Sequence, residues 1–238
     1  MMNHTHISAG LLESNPADFA KSRRENYEFF AGIFRSELTE IQVESIMNNG
    51  LIPKLKNICP EFDQKLFSKS INEVTETLAM EYSRIFIGPG KHISPYESVH
   101  VKDENGRTGL LWGESAVDFK AWVEHYGLKI GERFGSIPDH FCTILEFMAN
   151  IVGEEERFLN ESNEKIIALC RKVEVEFFNK HIGNWMAELF NEVADFSTES
   201  FYKEMSKLAC EFIGTEKELV KVYQEQLRSF DANKYGHR

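Results

Sequence analysis

Apolar residues recur along most of this chain at helical spacing. Asn15-Pro16 supplies an N-cap and a proline at the first helical position, and Phe19, Tyr27, Phe30, Ile33 and Phe34 then fall near one face, which predicts a first amphipathic helix. A second helix is expected from about Pro60-Glu61 to Ile87. There Phe67, Ile71, Val74, Leu78, Tyr82 and Ile85 follow at steps of four, three, four, four and three, giving one apolar stripe. Ser136-Ile137-Pro138-Asp139 reads as a capping sequence for a helix whose Phe141, Ile144, Leu145, Met148, Ile151 and Val152 share a face. Thr215-Glu216-Lys217-Glu218 repeats the device before Leu219, Val222, Tyr223 and Leu227. Only Ser98 to Lys102 alternates, and briefly. The pattern predicts an all-α fold: one helical, bundle-like domain over residues 15–230, with tails at 1–14 and 231–238.

Residues 88–113 belong to no helical stripe and hold Gly88-Pro89-Gly90, Pro95, Gly106 and Gly109. A loop this long inside a helical domain is functional or disordered. Pro95-Tyr96-Glu97-Ser98-Val99 carries more apolar and aromatic surface than a solvated linker needs, which favours an ordered, functional loop. Residues 159–165 are polar and acidic and mark a weaker boundary or hinge.

Composition narrows the function. The chain has 238 residues, 42% hydrophobic and 27% charged, enough for a sizeable core without staples. Its 38 Asp and Glu against 27 Lys and Arg leave a formal charge of -11, which argues against nucleic acid or an anionic membrane as partner and fits a basic or apolar one. The start lacks the basic, apolar, small-residue order of a secretory signal, and every apolar run is too interrupted to span a bilayer. A cytoplasmic protein, not embedded in a membrane, is therefore expected. Cys59, Cys142, Cys170 and Cys210 are dispersed with no zinc-ligand spacing, so they read as reduced, Cys142 and Cys170 as core residues.

Several motifs suggest chemistry and fail on inspection. Gly88-Pro89-Gly90-Lys91-His92 lacks the first glycine and the hydroxyl of a phosphate loop and follows a helix instead of a strand, so it reads as a helix stop and tight turn. Ser22-Arg23-Arg24 resembles an export signature, but Glu25-Asn26-Tyr27-Glu28 follows where an apolar run is required. Both arginines therefore read as the polar face of the first helix. Asp139-His140 cannot be the acid–histidine half of a triad, because adjacent helical residues point about 100° apart. Asp139 suits a helix N-terminus; His140 then caps the neighbouring loop or meets a ligand. Di-iron and zincin motifs are absent from the sequence, no cofactor is expected, and Glu154-Glu155-Glu156 reads as solvated helix face.

Four blocks in order carry a family resemblance. Glu81-Tyr82-Ser83-Arg84-Ile85-Phe86-Ile87-Gly88-Pro89-Gly90 with Pro95-Tyr96-Glu97-Ser98-Val99, then Leu111-Trp112-Gly113-Glu114-Ser115, Pro138-Asp139-His140-Phe141, and His181-Ile182-Gly183-Asn184-Trp185 with Ser200-Phe201-Tyr202 resemble the TorD/DmsD/NarJ-like redox-enzyme maturation chaperones. The likeness runs from about Phe29 to Phe212, and its layout is most similar to the DmsD branch. It implies a non-enzymatic, cytoplasmic, all-helical chaperone. Such a protein binds the twin-arginine signal peptide of an apo molybdoenzyme catalytic subunit, of the dimethyl sulfoxide or trimethylamine N-oxide reductase kind, until the molybdenum cofactor is inserted. It would be a monomer or a helix-exchanged dimer.

By motif, the resemblance assigns the peptide site to Tyr82, Ile85, Phe86, Pro95, Tyr96, Gly113, Asp139 and His140, with Tyr27, Glu97 and Ser98 as weaker members. Where such proteins often carry Trp after the loop proline, this chain has Tyr96, a smaller stacking face. The residue chemistry agrees: Asp139 and Glu97 offer carboxylates to arginines, and Ile85, Phe86 and Tyr96 offer an apolar wall. A nucleotide- or small-molecule-binding helical enzyme and a helical adaptor without a signal-peptide client remain the alternatives at this point.

Overall fold

A computed structural model describes residues 15–128 and 137–235, with side chains through 229. The described residues form ten α-helices and no strand. In chain order these are α1 Pro16–Phe34, α2 Glu40–Asn48, α3 Leu51–Ile58, α4 Ile71–Phe86, α5 Glu97–His100, α6 Glu114–His125, α7 Phe141–Asn160, α8 Glu164–His181, α9 Met186–Phe196 and α10 Ser200–Tyr235. None is long and apolar enough to cross a membrane.

Local chemistry sets most boundaries. Asn15 caps α1 by accepting from the Ala17 amide, with Pro16 at the first position, as the sequence predicts. The second predicted helix is shorter than its apolar stripe. Lys65–Ser68 is a separate 3-10 turn, Phe67 packs on Phe62 and Phe201, and α4 begins after Ser70. The Ser70 hydroxyl and the Glu73 carboxylate form a reciprocal capping box that satisfies the first amides of α4. The stripe runs on across the break because Leu66 and Phe67 of the turn, like Ile71 after it, pack partly buried against the same core.

Three further expectations change. The helix expected after Ser136–Asp139 starts at Phe141 with His140 as its N-cap; Ser136 lies outside the described residues. Thr215 starts nothing: α10 is continuous there, and the Thr215 hydroxyl donates to the Glu211 carbonyl one turn back. The alternating stretch at Ser98 begins inside α5, a single helical turn.

The core is one continuous cluster built from facing stripes of the helices. Val74, Leu78, Tyr82 and Ile85 of α4 and Phe141, Ile144, Leu145, Met148, Ile151 and Val152 of α7 are all buried, as their spacing predicts. Helix α1 lies antiparallel to α7: Arg24 pairs with Glu156 near one end and Arg35 with Glu146 near the other. All four cysteines are free, with Cys142 and Cys170 buried.

The larger surprise is polar. Arg23, expected on a solvated face, is 3% exposed and bonds carboxylates from three other helices: Glu155 of α7 at 2.8 Å, Glu174 of α8 at 2.6 Å and Glu216 of α10 at 2.9 Å. Glu155, also expected in solvent, is fully buried and takes a second arginine, Arg171, at 2.8 Å. The Tyr27 and Tyr223 hydroxyls complete the cluster on Glu216 and Glu155. Burial drives the Glu174 carboxyl upward to about 8, Arg23 opposes that shift and Glu155 adds to it. Two arginines, Arg23 and Arg171, thus meet three buried carboxylates, Glu155, Glu174 and Glu216, in one cluster. An amphipathic-helix reading cannot see this, since a buried charge is tolerable only when its partners arrive from distant sequence.

Removing one partner strands the others. Arg23→Ala is expected to lower unfolding free energy by about 3–5 kcal/mol, whereas Arg24→Ala, at the partly exposed rim, should cost about 1 kcal/mol or less. Urea denaturation of the two variants measures both, and equal small losses would contradict the cluster.

Candidate functional site

The 88–113 segment is pinned at several points. Gly88 donates to the Ser83 carbonyl at 2.7 Å as α4 ends, and a Cβ there would sit 3.3 Å from that oxygen, tighter than ordinary contact. The chain turns back so that the Ile93 amide meets the Ile85 carbonyl at 2.7 Å. The glycine motif is therefore a helix stop and a turn, as its sequence context predicts.

Pro95-Tyr96-Glu97 then runs antiparallel to Asp139-His140-Phe141. The Glu97 amide donates to the Asp139 carbonyl at 3.0 Å, the Phe141 amide to the Pro95 carbonyl at 2.9 Å, and Tyr96 and His140 form the bridge between them. Asp139 adds its side chain: Oδ2 accepts from the Ser98 amide at 2.6 Å. Its other oxygen, Oδ1, is buried with no hydrogen-bond partner among the described residues. Behind this latch, Glu97 meets His181 Nδ1 at 2.9 Å, while His181 Nε2 lies 3.0 Å from Asp118 of α6. Burial pushes the Glu97 carboxyl up, and His181 counteracts it. Trp185 donates its indole N–H to the His181 carbonyl and stacks on His100, so the fourth sequence block buttresses the loop from behind.

In front of the latch lies a groove of about 850 Å³. The buried Tyr82, Phe86 and His140 form its floor, Pro95, Tyr96, Ile87 and Leu111 give it apolar surface, and Arg35, Ser36 and Glu37 line it from the end of α1 and the turn that follows, with His92 and Ser94 also in the lining. Ile87 and Leu111 are 63% and 55% exposed, high for large apolar side chains. Arg35 is ion-paired with Glu146 of α7, and Glu37 accepts the Ser83 hydroxyl at 2.5 Å. The floor is neutral. Burial raises the Tyr82 phenol and, with a smaller push from nearby Arg35, drives the His140 imidazole down to about 3. A neutral His140 fits its role, because Nδ1 must be free of a proton to accept from the Cys142 amide at 3.2 Å.

Of the residues assigned from sequence, the groove brings together Tyr82, Phe86, Pro95, Tyr96 and His140. Ile85 is fully buried beneath them, and Asp139, Glu97 and Ser98 are buried in the latch. Gly113 lines a separate cavity of about 20 Å³ with Ser98, and a Cβ on it would stand 3.2 Å from the Ser98 Cβ. Tyr27 belongs to the Arg23 cluster. Arg35, Glu37 and Ile87 line the groove without having been singled out as site residues. Leu111 could have been found, since it opens the Leu-Trp-Gly-Glu block; Glu37 sits in a turn that carries no motif. A second groove, about 410 Å³ and lined by Leu128, Ile151, Leu169 and Val173 among others, includes none of the assigned residues. No group of side chains suited to a metal ion occurs among the described residues.

The depressed His140 value has a pH consequence. An unfolded histidine titrates near 6.5, so the stability tied to neutral His140 is present above that pH and is lost as pH falls toward about 3. In a nitrogen-15 NMR titration, His140 is expected to stay neutral from pH 8 to about 5. Protonation near the ordinary histidine value would contradict its buried capping role.

Comparison with known proteins matches residues 48–191 to the family model described as "Nitrate reductase delta subunit", a span that includes the groove loop and the His181–Trp185 buttress. The chain is 20% identical over 205 residues to a protein named chaperone protein TorD from Vibrio vulnificus, covering 82% of this chain and 92% of that one. It is 27% identical over 179 residues to a protein of the same name from Photobacterium profundum, covering 71% and 80%. To that of Shewanella piezotolerans it is 23% identical over 218 residues, covering 86% and 94%. These matches do not distinguish the branches of the family.

Proposed function

From the premise that this chain belongs to the nitrate reductase delta subunit family, whose TorD-type relatives are chaperones and not enzymes, we propose that it is a cytoplasmic maturation chaperone for a molybdoenzyme. Its ligand is the enzyme's twin-arginine signal peptide, held back from export until the cofactor is inserted. The observation that carries this reading is the groove itself, whose lining combines apolar surface from Ile87, Pro95, Tyr96 and Leu111 with the Glu37 carboxylate. A peptide with a basic segment followed by an apolar one needs both kinds of surface side by side. Tyr82, Phe86, Pro95, Tyr96 and His140 contact the peptide, while Ile85, Glu97, Ser98, Gly113 and Asp139 hold those residues in position. The acidic charge of -11 supports the same reading, since it speeds encounter with a basic segment.

Calorimetric titration with a synthetic twin-arginine signal peptide tests the proposal. Tyr96→Ala, at the half-buried mouth of the groove, is expected to weaken binding at least about tenfold, or about 1.4 kcal/mol, with little change in thermal midpoint. Leu169→Ser in the second groove should leave affinity unchanged. Absence of wild-type binding, or a loss that follows Leu169 and not Tyr96, would overturn it.

A further inference from the structure

A groove for a basic and apolar peptide must place a carboxylate where the peptide's cation arrives, and the two carboxylates offered by sequence are both committed elsewhere. Asp139 is 0% exposed and holds the Ser98 amide; Glu97 is 1% exposed and faces His181. Among the described residues lining the groove, Glu37 is the one carboxylate. It stands in the turn between α1 and α2, exposed to solvent, and its Oε1 is held by the Ser83 hydroxyl of α4 at 2.5 Å. A carboxylate has lone pairs for further donors beyond that one bond. The neighbouring cation, Arg35, also lines the groove and pairs with Glu146 of α7.

We infer that Glu37, positioned by Ser83, is the anionic subsite of the groove and receives an arginine guanidinium of the bound peptide, while the exposed side chains of Ile87 and Leu111 take the apolar residues that follow. The inference rests on the signal-peptide reading above and adds to it a residue and a polarity. The basic end lies against the α1–α2 turn, and the apolar end lies along the 88–113 loop. A guanidinium suits this place better than an ammonium, because its planar fork can bond a fixed carboxylate through two N–H groups.

The competing role is structural: Glu37 would do no more than tie the α1–α2 turn to α4. Glu37→Gln separates the two, since the amide oxygen can still accept from Ser83 while the charge is lost. The test is a calorimetric cycle of wild type and Glu37→Gln against a synthetic peptide with paired arginines before an apolar run, and against the same peptide with both arginines replaced by glutamine. For the arginine peptide, Glu37→Gln is expected to weaken binding about tenfold. For the glutamine peptide the two proteins should agree within about twofold, with unchanged thermal midpoints throughout. Equal affinity of both proteins for the arginine peptide, or the same loss for both peptides, would overturn the assignment of Glu37 alone. Wild type that binds neither peptide would overturn the signal-peptide reading and this inference with it.

Discussion

Asp139 joins two stretches of chain 41 residues apart by a short bond from its carboxylate to the Ser98 amide, inside a site closed to water. A charge-assisted bond to a backbone amide is roughly twice as strong as a neutral one, and here it has two backbone bonds beside it, Glu97 to Asp139 and Phe141 to Pro95. Together they convert the middle of a long loop into one rung of antiparallel strand against the entry of α7. That rung sets Tyr96 edge-on against the His140 ring. The latch therefore sets Pro95 and Tyr96 of the loop and His140 of the helix start in the groove, beside Tyr82 and Phe86 of α4.

The same device recurs through the molecule at larger scale. Arg23 gathers carboxylates from α7, α8 and α10, and Glu81 at the end of α4 takes two bonds from Arg84 together with the Thr198 and Glu199 amides before α10. Burial works against the Glu81 carboxylate, yet these donors hold it down to about 2. Buried polar clusters of this kind add little net stability over apolar packing, but each has one arrangement in which its members are satisfied. They fix how amphipathic helices dock, which apolar stripes alone leave degenerate. The family's recognisable blocks are mostly such ties: Glu81 and Arg84 lock α4 to the α9–α10 turn, and His181 and Trp185 brace the loop.

That division explains what could be read from the sequence. The helical class, the stripes of α1, α4 and α7 and the ordered loop follow from local periodicity and from glycine and proline placement, which neighbouring residues determine. The break before α4 is visible in principle as Ser70 followed by Glu73, but an uninterrupted stripe masks it. Arg23 and Glu155 read as solvent-facing because they lie 132 residues apart from one another, a pairing that no local pattern encodes. At the site, motif resemblance found the floor and the latch together and could not separate them: Tyr96 and His140 line the groove, whereas Asp139, Glu97 and Ile85 lie behind it. Glu37 stayed hidden because its role depends on Ser83 and on the path of the loop.

The claim that the groove is built by the Asp139 latch is tested most directly by hydrogen exchange at the Glu97, Ser98 and Phe141 amides, in wild type and in Asp139→Ala. All three are expected to be protected in the wild type and to exchange together at least about tenfold faster in the variant, while amides of α1 and α7 near the Arg23 cluster keep their protection. Fast exchange at those three amides in the wild type, or no change on removing the carboxylate, would contradict it.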